Sequence, residues 1–241
     1  MTAYGPDLAH THDVGYGAFA RDAAPDLLRR LRAAGLDGGL VVDLGCGSGI
    51  WARELLDTGF GVLGVDISAD MLAIARERAP EARFVHASLL DADLPPCAAV
   101  TAISEPFNYA LDPRVGRDAL AALMRRVHGA LQPGGLLAFD VLGPGTEPAP
   151  RRVWREGADW LVCAEVAEDP ATRTLTRRIA TFRRLGDDSW RRSDELHVAR
   201  LYPRDEVLAD LRAAGFAEVE ADEGWGALRF APGHTAFAAR R

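Results

Sequence analysis

The feature that most constrains the fold is the run Val41-Val42-Asp43-Leu44-Gly45-Cys46-Gly47-Ser48-Gly49. Its β-branched and aliphatic start reads as a buried strand, and the glycine cluster then turns the chain into a helical segment. Glycine is needed where the backbone takes a positive φ or passes too close to a ligand for a Cβ. Seventeen residues beyond Gly49, Asp66 closes a second apolar run, Gly61-Val62-Leu63-Gly64-Val65. A carboxylate ending the neighbouring parallel strand is placed to accept hydrogen bonds from both hydroxyls of a ribose. Strand, glycine turn, helix, strand and acid together describe a nucleoside-binding crevice.

From residue 40 onward the pattern alternates. Strands are expected at 40–44, 61–66, 82–86, 98–103 and 135–141, and helices at about 50–58, 69–79 and 115–130. Leu120, Leu123, Met124, Val127 and Leu131 give the last helix its apolar face. Alternation of this kind implies an α/β fold with parallel strands and helices on both faces. Residues 1–20 read as irregular, and Pro25 as the opening of a helix that stops at Gly35. The rhythm breaks at Gly143-Pro144-Gly145-Thr146-Glu147-Pro148. Three extended runs follow, at about 151–166, 172–185 and 190–202, punctuated by Asp169-Pro170 and Gly186-Asp187-Asp188, which is the pattern of an antiparallel insertion. A helix from Pro203 to Ala214 and strands at about 216–222 and 227–239 close the chain. The expected organisation is one domain, 1–241. It has an N-terminal lid and helix (1–35), a cofactor-binding core (36–145), an antiparallel substrate cap (150–202) and a closing segment (203–240).

The identity of the nucleoside depends on detail. A dinucleotide fold requires G-x-G-x-x-G, with a pyrophosphate on the helix N-terminus. Here the glycines run G-x-G-x-G, and Asp43 stands two residues before the first, where it would repel a pyrophosphate but suit a cationic ligand. This stretch resembles the first motif of class I S-adenosylmethionine-dependent methyltransferases. Gly64-Val65-Asp66-Ile67-Ser68 resembles their second motif, and Leu131-Gln132-Pro133-Gly134-Gly135-Leu136-Leu137 their post-catalytic strand entry. The resemblance covers roughly residues 36–145 and 203–240. It implies a Rossmann-like seven-stranded methyltransferase sheet, mostly parallel with the last strand antiparallel, and S-adenosyl-L-methionine as cofactor. By position it implies that Gly45 and Gly47 pass under the cofactor, that Asp66 binds the ribose and that Ile67 lies against the adenine, while the amides of Cys46 to Gly49 face the methionine end. Asp43, Cys46, Met71, Leu89 and Ser104 complete the expected cofactor set. Ser88 stands where the family carries an adenine-binding acid; its hydroxyl accepts more weakly than a carboxylate. Tyr16 and Phe19 are candidates to fold over the cofactor, since a sulfonium favours an aromatic face.

Acceptor residues are expected after the fourth strand, in Ile103-Ser104-Glu105-Pro106-Phe107-Asn108-Tyr109. Only Pro106 and Phe107 match the Asn/Asp-Pro-Pro-Tyr/Phe signature of amine methyltransferases acting on nucleic acids or proteins. The stretch looks more like that of small-molecule methyltransferases. Glu105, Asn108, Tyr109 and Arg200 form the expected acceptor-binding set. In Ser193-Asp194-Glu195-Leu196-His197 strand alternation puts Glu195 and His197 on one face, where a carboxylate beside an imidazole makes a general base for a protonated nucleophile. These two are the expected catalytic pair, and a surface cross-strand pair is the alternative. The Arg pairs at 177–178, 183–184 and 191–192 read as solvated strand edges, with capture of an anionic substrate as the alternative. The tryptophans after residue 150 read as core anchors, with one or two lining a substrate pocket as the alternative.

A net charge of −7 and a pI near 5.4 argue against a nucleic-acid substrate. Cys46, Cys97 and Cys163 are too far apart for zinc or disulfide spacing. No metal is expected, nor any membrane association, since no apolar stretch spans a bilayer and residues 1–25 lack a signal-peptide layout. The expectation is a cytoplasmic methyltransferase, monomeric or homodimeric, acting on nitrogen or oxygen of a small molecule. The alternatives are transfer of a different group from the same cofactor, or a catalytically inactive cofactor-binding regulatory subunit.

Overall fold

The computed structural model describes residues 4–145, 147, 149–186 and 189–241. Thr146 and Pro148 of one expected turn, and Asp187 and Asp188 of another, lie outside the described residues. The chain opens with two helices, α1 (Pro6–Tyr16) and α2 (Ala18–Ala33), where irregular chain was expected up to residue 20. Pro6 supplies the preset φ of a helix start, and Gly17 between the helices is itself α-helical, with φ −60° and ψ −13°. Pro25 does not open α2 but lies inside it. The helix continues past that missing donor because Ala23, Ala24, Leu27 and Leu31 are buried against the sheet.

The core then follows as β1 (Gly39–Leu44), α3 (Ile50–Asp57), β2 (Phe60–Asp66), α4 (Ala69–Arg78), β3 (Arg83–His86), β4 (Cys97–Ala102), α5 (Arg117–Ala130) and β5 (Leu131–Leu142). β1, β2, β3, β4 and β5 pair in parallel, and the apolar runs read from the sequence are the buried strands between two layers of helices. The insertion contains four strands rather than three: β6 (Arg151–Glu156), β7 (Trp160–Asp169), β8 (Thr174–Arg184) and β9 (Trp190–Arg200). The expected run 151–166 is broken by a turn at Gly157, where a Cβ would lie 2.3 Å from the Trp160 indole nitrogen. These strands form a separate antiparallel sheet, in the order β6-β7-β8-β9.

After α6 (Arg204–Ala213) and β10 (Ala217–Asp222), the expected last strand is interrupted. A two-residue ribbon of β11 (Gly224–Trp225) and β12 (Leu228–Arg229) precedes β13 (His234–Arg240). The ribbon buries Trp225 completely. The main sheet has seven strands in the order β10-β13-β5-β4-β1-β2-β3, with β13 antiparallel to both neighbours. That is the expected seven-stranded arrangement. The order reverses between β1 and β4, so a crevice opens beyond their C-terminal ends.

The two sheets are joined at that crevice. Beyond β4, Tyr109 bridges to Ala199, Ala110 N donates to Val198 O at 2.7 Å, and Arg200 N donates to Asn108 O at 2.7 Å. The loop leaving β4 therefore runs as an extra partner along edge strand β9. Helix α1 packs on the inner face of the second sheet through Leu8, Trp160 and Val162. Gly15 permits this contact, since a Cβ there would lie 2.6 Å from the Trp160 ring.

Candidate active site

The glycine turn after β1 is shaped by its neighbours. Gly45, with φ +73°, would place a Cβ 2.4 Å from that of Pro106, whereas a Cβ on Gly47, with φ +52°, would point into open space. That space is a cavity of about 730 Å³ of empty volume, part of it open to solvent. Asp66 lies on its wall. Its carboxylate accepts Gly47 N at 2.8 Å and Ser68 N at 2.8 Å, which fixes its orientation and leaves further lone pairs free. Burial pushes its carboxyl above the ordinary range, opposed by those backbone donors. Ser68 caps α4 through Met71 N and donates to Tyr4 O at 2.9 Å.

Among the expected cofactor residues, Gly45, Gly47, Asp66, Ile67, Met71, Ser88, Leu89 and Ser104 all line this cavity. Three do not. Asp43 is buried beneath the turn, where it accepts from Thr101 Oγ1 at 2.7 Å, and burial raises its carboxyl to about 7. Cys46 turns its thiol under the loop toward Gly64, while its amide donates to Val65 O at 3.1 Å. The amides of Gly47 and Gly49 are likewise bonded within the protein, to Asp66 and to Cys46 O, so the turn does not offer the expected free row of donors. Tyr16 stacks on His12 and lies under the Arg155 guanidinium, away from the cavity wall. Phe19 stacks on Phe230.

The weak acceptor at Ser88 is backed by a residue the sequence did not single out. Ser88 Oγ donates to Asp112 Oδ2 at 2.6 Å, and Asp112 also lines the cavity. The Arg114 guanidinium beside Asp112 holds that carboxyl well below the usual carboxylate range. A carboxylate is therefore present at this wall, delivered by the loop after β4 instead of the end of β3.

At the opposite end the wall is aromatic and formed by residues from distant segments. Tyr4 OH donates to Tyr109 OH at 3.0 Å; Arg177 of β8 donates to Tyr109 OH at 2.6 Å and to Glu105 Oε1 at 2.8 Å. Arg177, read from the sequence as a solvated edge residue, is mostly buried at the centre of this cluster. Burial opposes its charge, yet Tyr109 and Glu105 hold its pKa above the ordinary value. The register explains the difference. Arg177 pairs across with His197 on the inner face, and its neighbour Arg178 faces solvent.

Glu105 is therefore engaged by Arg177 and is not a free carboxylate for an ammonium group. Its backbone, like that of Ser104, is left-handed, with φ of 61° and 72°. Each such residue costs roughly 1–3 kcal/mol and persists only where its surroundings enforce it. The enforcing group is Asp140 at the end of β5, fully buried. It accepts Ser104 N at 2.9 Å, Glu105 N at 2.8 Å, Trp225 Nε1 at 3.3 Å and His234 Nε2 at 2.7 Å.

Two expected acceptor residues are placed elsewhere. Asn108 is completely buried and uses its amide on the backbone of Leu142 and Arg200, so it fastens the loop to the sheets. The Arg200 side chain is exposed to solvent. His197 and Glu195 do pair, with Nε2 to Oε2 at 2.8 Å, but neither lines the cavity. His197 is 2% exposed and lies behind Tyr4, ring centroids 4.8 Å apart. The Glu195 carboxylate also accepts Tyr4 N and Gly5 N, both at 2.9 Å. Two residues of the N-terminal segment, Tyr4 and His12, do line the cavity.

Strand-end acid, open glycine turn, apolar flank and backed acceptor fit a nucleoside with a short polar tail. A family model described as a methyltransferase domain matches residues 41–135. The trans-aconitate 2-methyltransferase of Variovorax paradoxus (strain S110) is 30% identical over 208 residues, covering 75% of this chain and 75% of that protein. The chain belongs to the S-adenosylmethionine-dependent methyltransferases. Its sheet is that of the class I family, and the cofactor is S-adenosyl-L-methionine. The dTDP-3-amino-3,6-dideoxy-alpha-D-glucopyranose N,N-dimethyltransferase of Streptomyces fradiae is 29% identical over 57% of this chain and 54% of its own length. Several curated relatives are matched over only 54 to 62% of their own length. The crystal structure of an S-adenosylmethionine-dependent methyltransferase from Clostridium acetobutylicum ATCC 824 shares the fold, with a TM-score of 0.82 at 16% identity over 97% of each chain.

Proposed function

We propose that this chain transfers a methyl group from S-adenosylmethionine to a small-molecule acceptor held between the crevice and the antiparallel sheet. One observation carries the reading. A single cavity joins Gly45, Gly47 and Asp66 to a wall of Tyr4 and His12, from the N-terminal segment, and Tyr109, from the loop after β4 that pairs with β9. The names of the relatives, an aconitate and an amino-sugar methyltransferase, support a small acceptor, and the net charge of −7 supports it over a nucleic acid. When bound, the cofactor supplies an activated methyl group on a sulfonium. This chain's residues supply placement, which an in-line displacement depends on most. Asp66 offers its remaining lone pairs to the ribose hydroxyls, and Ile67, Met71 and Leu89 give an apolar wall to the adenine. The Ser88–Asp112 pair accepts from an amino group there.

In this reading residues 36–145 with 203–240 hold the cofactor, 150–202 cap the acceptor and 1–35 form a lid. Among the described residues no helix is long and apolar enough to cross a membrane. The three unpaired cysteines, two of them buried, support a cytoplasmic protein. Calorimetric titration with S-adenosylmethionine and S-adenosylhomocysteine tests the reading at its base. Binding of both, followed by transfer of labelled methyl in an acceptor screen, is the expected result. Binding of neither would refute it.

The Glu195–His197 pair takes a role different from the expected base. Its carboxylate grips the amides of Tyr4 and Gly5, and so fastens the lid to β9. Glu195→Ala should speed amide hydrogen exchange over residues 4–16 by tenfold or more, because each hydrogen bond to a charged group contributes about 1.5–3 kcal/mol. Exchange unchanged in that segment would remove the latch.

A further inference from the structure

The lid carries a group that neither the cofactor crevice nor the latch uses. His12, on α1, lines the cavity, yet its imidazole makes no hydrogen bond among the described residues. The other titratable groups on that wall are all engaged: Tyr4 with Tyr109, Tyr109 with Arg177, Asp66 with two amides and Asp112 with Ser88 and Arg114. The His12 ring is fixed by its neighbours. It meets Tyr4 edge-on at 5.3 Å and stacks on Tyr16 at 5.7 Å, so one ring edge is left for a ligand.

We propose that His12 is the hydrogen-bond acceptor that receives the methyl acceptor, and that this acceptor is an amine and not an alcohol or a carboxylate. The proposal rests on the methyl-transfer reading above. It follows from what surrounds the ring. Asp13 is next to it in the helix, but its carboxylate is held by Arg78 of α4 at 2.9 Å. His197 of β9 and Arg177 of β8 face it and disfavour a second positive charge, and Tyr4 and Tyr16 are neutral. Burial, more than these charges, lowers the imidazole to about 4. His12 therefore presents a lone pair at neutral pH.

An alcohol must lose its proton as it attacks, and that demands a strong base, usually an imidazole with a carboxylate behind it. His197 has that partner and does not reach the cavity; His12 reaches the cavity and lacks the partner. A carboxylate needs a cation opposite it, and Arg177, the cation at this end, is already paired with Glu105. An amine that gives up its extra proton to water before it enters has both needed features. Its lone pair forms the new N–C bond, and the electron pair of the breaking C–S bond stays on sulfur as a neutral thioether. The positive charge passes to nitrogen, whose N–H then points to His12 until its proton leaves to water.

The test uses the full chain saturated with S-adenosylhomocysteine and three probes of one shape: benzylamine, benzyl alcohol and benzoate. Long-range ¹H–¹⁵N spectra of the labelled imidazoles read His12 directly, with His12→Gln identifying its signals. At a pH above its own pKa, where it is the free base, benzylamine should shift the unprotonated ring nitrogen of His12, with benzoate leaving it in place. His12→Phe should weaken benzylamine binding at least tenfold, and His12→Gln, which keeps an acceptor atom, within threefold. S-adenosylhomocysteine affinity should be unchanged in both variants. Benzoate shifting His12 as benzylamine does, no amine binding at tens of millimolar, or equal binding by His12→Phe would overturn the inference. A wild-type chain that fails to bind S-adenosylhomocysteine would instead remove the reading beneath it.

Discussion

Replacing Asp66 with alanine should lower the affinity for S-adenosylhomocysteine by roughly ten- to a hundredfold, the equivalent of about 1.5–3 kcal/mol for a charged hydrogen-bonding group. The carboxylate is oriented by Gly47 N and Ser68 N before any ligand arrives, so its removal deletes a prepaid interaction. The same change leaves both amides unpaired and should cost some stability. The sheet itself should persist, because Val62, Leu63 and Val65 bury β2 without help from the acid. Calorimetry on a variant shown to be folded by circular dichroism separates the two effects. Retention of wild-type affinity would remove the crevice as the cofactor site.

Asp140 should matter more to stability than any residue in the cavity wall. It collects four donors at one fully buried carboxylate, two of them from residues held in left-handed backbone. Asp140→Ala strands those donors and releases the strain at Ser104 and Glu105. A loss of about 3 kcal/mol or more is expected, since unsatisfied buried donors cost roughly 1–3 kcal/mol each and do not add fully. For a chain of this length that corresponds to a fall in Tm of roughly 6–12 °C. Because Glu105 and Tyr109 are placed by that loop, the Arg177 contacts should be lost with it. Thermal unfolding of Asp140→Ala beside Asp140→Asn measures this. A fall of under about 3 °C in the alanine variant would show that the loop holds itself.

What the sequence by itself determined is the part of the protein built from neighbours in the chain. The turn after β1 needs glycines at 45 and 47 because of local φ and the close approach of Pro106. Asp66 ends its strand wherever that strand lies, and alternation of apolar strands and amphipathic helices specifies a parallel sheet. These are short-range constraints, and a linear pattern carries them. Three-dimensional packing decided the rest. Helix α1 and the first turns of α2 carry few local signals beyond Pro6, and form because Leu8, Ala23 and Leu27 are buried against distant strands.

The same holds for the site. Ser88 looks deficient in the sequence, and only the folded loop brings Asp112 against it from 24 residues away. A pair of arginines at 177 and 178 is symmetrical in the sequence. The β8–β9 register turns one of them inward onto Glu105 and the other out to solvent. Glu195 and His197 share a strand face as alternation requires, but what covers that face, the Tyr4–Gly5 backbone, is set by a segment 190 residues earlier. Which polar groups are spent on the fold and which are left for a ligand is a property of long-range contacts. For that reason Asn108, expected among the acceptor-binding residues, serves as a fastener, while His12 is left without a hydrogen bond among the described residues on the cavity wall.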